Sequence, residues 1–350
     1  MRNDHIEKFY TVHGIVNFKI IHEKKFKWKF NKIHEQYENF KIKNVDKDDI
    51  DFVVYLGNFV PENNECLIID DNFYIKKDYF YCKKDTYKFT KWQFEISGFE
   101  SKRANIKISS NFMGYRSMVG FIIDYMIFYK LNEKGFSMIH ASGISKENKG
   151  NIFAARGGAG KTTIALNLME ENFNFLGDNF VLLKKGKVMS FLTPLSIFTY
   201  NLSKNVSGTL TFKDKLNFEF KKIIYKITGG YIKIFTKVNV KNIFKDKIVN
   251  KTNLENIFVL VPHDEFKLEK IDKDELINYL VLNQKMDLIN FMKYIIEYSY
   301  IFPESRFAKQ WILYKQNLKD NLCLSNDLNI YKLEIPKDNT YLTNKIKEII

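Results

Sequence analysis

A strand pattern ending in Ile152–Ala155 runs straight into Ala155-Arg156-Gly157-Gly158-Ala159-Gly160-Lys161-Thr162, and a helix pattern, Thr162–Glu171, follows at once. Few segments constrain a fold more. Glycines between a strand and a helix let backbone N–H groups turn inward as an anion nest, while the helix points its positive end at the same spot. Lys161 then reaches the β- and γ-phosphates of a nucleotide, and the Thr162 hydroxyl is a magnesium ligand. The segment fits the phosphate-loop pattern with Ala155 at the first Gly position. It predicts binding of ATP and Mg²⁺ through Gly157, Gly158, Ala159, Gly160, Lys161, Thr162 and Thr163.

A second element lies close behind. Phe173–Leu176 has the pattern of a strand, and Gly177-Asp178-Asn179 closes it. Only 16 residues separate Lys161 from Asp178, enough for one helix and one short strand. That spacing brings Asp178 back beside the loop, where a carboxylate holds magnesium or takes a proton from a nucleophile. Upstream, Ile139-His140-Ala141-Ser142-Gly143 falls in a strand expected to neighbour the loop strand, which makes His140 a candidate for the same site.

The flanks set the architecture. Short β-rich runs, Gly14–Ile21, Asp51–Leu56 and Cys66–Ile69, predict a strand-rich N-terminal part. Asp70-Asp71-Asn72 fits a turn between strands better than an acidic metal cluster. From Phe112 to Glu133 the pattern becomes helical, with Met118, Ile122, Tyr125 and Tyr129 on one face and Gly135 as the stop. Arg116, Asp124 and Lys130 interrupt Phe112–Leu131, so it is expected to be a packed helix and not a membrane span. Farther on, Phe180–Leu183 and Ile257–Val261 predict strands and Lys285–Tyr300 a helix.

Composition narrows the function classes. The net charge is +14, yet the cations are almost all Lys spread along the chain, with five Arg. A nucleic-acid surface concentrates its charge and uses Arg, so no nucleic-acid partner is expected, though anionic ligands are favoured. Cys66, Cys82 and Cys323 lack metal-ligand spacing and are expected to be reduced, buried thiols in a cytoplasmic protein.

The order from Ile139 to Leu183 resembles the HPr kinase/phosphorylase family and, more remotely, the ATP-dependent phosphoenolpyruvate carboxykinases that share its phosphate-loop fold. That order is a His-containing strand, a turn, a strand, the loop, a helix and an acidic pair. The resemblance implies that Asp178 is the general base on an acceptor hydroxyl, Asn179 the metal-side position, Thr162 the loop ligand and His140 the upstream His. Asp178, His140 and Lys161 are then the catalytic set, and Thr162, Asp178 and Asn179 the metal set. Asn179 is a departure, being neutral and a weaker magnesium ligand than an acid.

The implied fold class is α/β: a β-rich N-terminal domain over residues 1–112, then a kinase-like phosphate-loop domain over 113–350 with a helical C-terminal part. The implied function is ATP-dependent phosphotransfer to a hydroxyl of a protein, peptide or small-molecule acceptor, with an oligomer possible. Two alternatives stay open. Arg156-Gly157-Gly158-Ala159-Gly160-Lys161-Thr162-Thr163 is similar to the variant loop of Min- and Par-type ATPase switches, although theirs lies near the N-terminus. A catalytically weak nucleotide-binding scaffold is the other, made plausible by Asn179.

Overall fold

Apolar and polar residues alternate along Val16–Ile20 and burial alternates on through Glu23, so Val16, Phe18, Ile20 and His22 all turn inward on one face of a strand. This strand belongs to a computed structural model that describes residues 4–117, 119–198, 212–227, 235–324, 328–336 and 342–350. The protein is a mixed α/β chain with two compact units. The first holds residues 1–137 and 288–317, the second residues 138–287 and 318–350.

In the first unit, strands β1 (His5–Val12), β2 (Val16–Glu23), β3 (Lys41–Ile42), β4 (Phe52–Leu56), β5 (Leu67–Ile69), β6 (Phe73–Lys76), β7 (Tyr79–Tyr87), β8 (Thr90–Ser97) and β9 (Ala104–Ser110) make one sheet. Its order is β3-β1-β2-β4-β9-β8-β7-β6-β5. Stacked rings fill its core, with Phe18 4.8 Å from Phe52 and 5.0 Å from Tyr10 between ring centres. Asp70 and Asp71 take positive φ between β5 and β6, and Asn72 N–H donates to Ile69 O, so the acidic triplet is the turn that was expected.

The helix Val119–Glu133 is buried almost all round, which places it in this unit's core; Phe291 lies 4.5 Å from Tyr125. The unit therefore takes in residues 119–137 and 288–317, which lie beyond residue 112. Tyr37 Oη donates to Asp124 at 2.8 Å, satisfying one of the charges that break the apolar run. Gly135 (φ 74°) ends the helix, as its position predicts. Met118 lies outside the described residues. Among those residues, no helix is long and apolar enough to cross a membrane.

The second unit carries β10 (Ser137–Lys146), β11 (Lys149–Ala154), β12 (Asn174–Gly177), β13 (Phe180–Lys184), β14 (Lys187–Ser190), β15 (Leu195–Phe198), β16 (Phe235–Val238), β17 (Lys251–Pro262), β18 (Lys267–Lys270) and β19 (Asn329–Ile335). β11 runs antiparallel to β10 on one side and parallel to β17 on the other. At its start β17 also pairs with β14, so β11, β10, β13, β14 and β17 close into a ring. β19, after the last long helices, returns to lie parallel to β17, so the C-terminal part is not helical throughout.

Two further expectations need correction. The single helix Lys285–Tyr300 is two, Lys273–Asp287 and Ile289–Ile301, because the buried Leu288 (φ −88°, ψ 7°) leaves helical geometry. The cysteines are free, but only Cys82 is buried; Cys66 is half-buried and Cys323 exposed. Burial pushes the Cys82 thiol up to about 12.

Candidate functional site

The loop after β11 is anchored by its alanines. Ala155 and Ala159 are buried in the same core as Ile164, Leu168 and Met169 of the following helix, Lys161–Met169. Burying a side chain such as Ile164 or Leu168 contributes about 1.5–3 kcal/mol, which holds the helix's first turn against the sheet. The Ala155 methyl thus explains why the first position of the pattern need not be Gly.

Between the two alanines the chain is exposed at Arg156, Gly157 and Gly158. Gly158 and Gly160 both have φ of 87°, a left-handed conformation that a side chain makes costly. A Cβ built on Gly157 or Gly158 meets nothing within 4 Å, so the loop presents bare backbone on an open side. Gly160 caps the helix, whose first N–H groups have no partner within the helix. Exposed glycine backbone thus lies next to a helix N-terminus, a combination that favours anions.

Lys161 is itself buried, at 7% exposure. Its Nζ donates to Ala155 O at 2.5 Å and Arg156 O at 3.2 Å, and stands 3.0 Å from His140 Nε2. Burial lowers its pKa to about 8, against the raising effect of Asp178 and Asp287. A lysine so placed gains most from an anionic ligand, whose charge would replace the lost water.

Asp178 closes β12 and is 4% exposed. The Thr162 hydroxyl lies 3.0 Å from each of its carboxylate oxygens, and the buried Ser142 hydroxyl donates to Oδ1. Thr193 Oγ1 donates to the Asp178 carbonyl at 3.5 Å. Gly177 is required beside it, because a Cβ there would come within 2.5 Å of Phe180 O. Asn179 follows with φ of 81°, a conformation that Asn tolerates better than most residues, and its carbonyl accepts from Ala141 N–H at 3.1 Å.

His140 is buried at the loop end of β10. Its N–H donates to Gln284 Oε1 at 2.9 Å, its carbonyl accepts from Asn283 Nδ2 at 2.7 Å, and Asp287 Oδ1 lies 3.2 Å from Nδ1. The structure thus brings together His140, Lys161, Thr162 and Asp178, with Asn179 next in the chain. Sequence reasoning missed the roles of Ser142, Thr193, Asn283, Gln284 and Asp287. No local pattern signals the last three, since Gln284 meets His140 across 144 positions.

No family model matches the sequence, and no curated protein does. Among solved structures the chain is similar to the Hpr(Ser) kinase/phosphatase from Coxiella burnetii, at 12% identity and a TM-score of 0.28. That likeness covers 61% of this chain and 95% of the other. At this distance the chemistry has to come from the side chains themselves.

Proposed function

We propose that the chain moves the γ-phosphate of ATP to a hydroxyl on a protein, peptide or small-molecule acceptor. One observation carries this: a buried carboxylate, Asp178, stands 3.0 Å from the Thr162 hydroxyl, one residue along from Lys161 at the end of a glycine loop. The N–H groups from Gly157 to Thr163 and the Lys161 ammonium would hold the phosphates. Phosphoryl transfer is mostly positioning and charge neutralisation, so few groups are needed.

The donor set suits magnesium carried in by the nucleotide. Mg²⁺ takes oxygen ligands, keeps several waters, and needs one or two carboxylates besides the substrate's phosphates. Thr162 Oγ1 and Asp178 are such oxygens, and Asn179 offers a neutral one alongside. Among the described residues, no three His, Cys, Asp or Glu side chains group to cage a metal alone. Bound there, the ion would neutralise charge on the phosphates. Asp178 would accept the proton of the acceptor hydroxyl; a carboxylate has about four acceptor positions, and the Ser142 and Thr162 hydroxyls leave room for another donor.

The test is calorimetry with Mg·ATP on the full chain and on Lys161→Ala, followed by a search for phosphorylated product with candidate acceptors. Wild type should bind and the variant should lose tight binding. Equal affinity in a folded variant would remove the basis for nucleotide chemistry at this loop. Binding without turnover on any acceptor would make the chain a nucleotide-binding scaffold.

A further inference from the structure

His140 stands one residue before the pairing of β10 with β11 begins at Ala141. Its backbone is instead held by side chains from the end of the helix Lys273–Asp287, with Gln284 on its N–H and Asn283 on its carbonyl. Asp287 lies three positions beyond Gln284 and four beyond Asn283, on the same side of the helix. Its carboxylate reaches the ring, with Oδ1 3.2 Å from Nδ1. Nδ1 is buried and has no aligned hydrogen bond, so Asp287 is the polar group available to it. On the far edge of the ring, Nε2 is 3.0 Å from Lys161 Nζ.

The two edges of the ring make the same demand. An ammonium has three donors and no lone pair, so Nε2 facing Lys161 is the better acceptor edge, at the cost of a buried Nδ1–H that needs a partner of its own. In a neutral imidazole the proton is then on Nδ1, pointing towards the Asp287 carboxylate. The other tautomer would aim an N–H at the ammonium and leave the carboxylate facing a lone pair. We propose that Asp287 is a positioning residue of this site: it holds His140 as the Nδ1–H tautomer, so that Nε2 accepts from Lys161 and fixes where the ammonium stands. This role rests on the assignment of the loop to nucleotide given above. Asn283 and Gln284 hold the His140 backbone independently, so removing the Asp287 carboxylate changes the ring's proton and not the strand's position. Nor should the helix suffer, because an acid at a helix C-terminus opposes the helix dipole.

The experiment is ¹⁵N NMR of the histidine rings in the full-length chain, with His140 assigned by comparison with His140→Gln, together with Mg·ATP calorimetry. Wild type should show His140 as the Nδ1–H form. Asp287→Ala should move it towards the Nε2–H form and weaken Mg·ATP by roughly tenfold, the usual effect of losing an outer-shell partner. Asp287→Asn, whose Oδ1 still accepts from Nδ1–H, should keep both the tautomer and most of the affinity. If Asp287→Ala leaves His140 as Nδ1–H, or shifts the proton with no change in affinity, the role is refuted. Lys161→Ala separates the two claims. Unchanged binding there defeats the nucleotide assignment, while the ring signals still report on Asp287.

Discussion

Replacing Asp178 by Asn removes the proposed proton acceptor and leaves the local shape. In the protein Asp178 accepts from Ser142 through Oδ1 and stands 3.0 Å from Thr162 Oγ1 through both oxygens. The Asn amide oxygen can keep the Ser142 contact, while its NH₂ donates to a lone pair of the Thr162 hydroxyl. No buried group is stranded, so stability should change by less than about 1 kcal/mol, the worth of one neutral hydrogen bond. Asp178→Ala is the contrast, since it leaves the fully buried Ser142 hydroxyl without its acceptor, at a cost of about 1–3 kcal/mol. Turnover should respond differently. Loss of a general base slows reaction by roughly 10²–10⁴-fold. That is about 3–5 kcal/mol of barrier. ATP affinity should change far less, because the proposed binding places the phosphates on the loop and Lys161. Steady-state phosphoryl transfer over a magnesium series, with thermal melts of all three proteins, gives both quantities. A folded Asp178→Asn protein with wild-type turnover would refute the base assignment and reduce Gly177-Asp178-Asn179 to a turn.

Gly177→Ala should lower the melting temperature and the activity together, because its Cβ would meet a backbone oxygen, Phe180 O, at 2.5 Å. Such overpacking costs about 1–3 kcal/mol, and an unchanged melt would show that the β12 end can yield. Acid should also destabilise the protein through His34, where burial, Lys8 and His22 lower the pKa to about 3. The unfolded ring gains its proton near pH 6.5 and the folded one only near 3. Stability is therefore full above the unfolded value and lost as pH falls towards the folded one. Urea unfolding at pH 7 and pH 5 should differ by about 2 kcal/mol from this ring, and a flat profile would refute its neutral burial.

What the sequence determined by itself was local. The loop from Ala155 to Thr162 was legible as a glycine-rich turn between a strand and a helix, because glycines tolerate positive φ and an apolar strand and a helix pattern flank them. Asp178 was legible because one helix and one strand leave few places for it. The turn at Asp70-Asp71 and the stop at Gly135 followed from backbone preferences. What only the tertiary structure decided was long-range. That Lys161 is buried against His140, that Ser142 and Thr193 hold Asp178, and that β19 returns beside β17 all depend on segments distant in the chain. The break at Leu288, inside a continuous apolar periodicity, was equally hidden, because the change of backbone angles falls at one buried residue that the periodicity does not mark. Asp287 shows the limit most plainly. In the sequence it is one acid at the end of a helix. Its position beside the His140 ring exists only because the fold carries that helix end back to β10, and no periodicity encodes a contact between side chains so far apart.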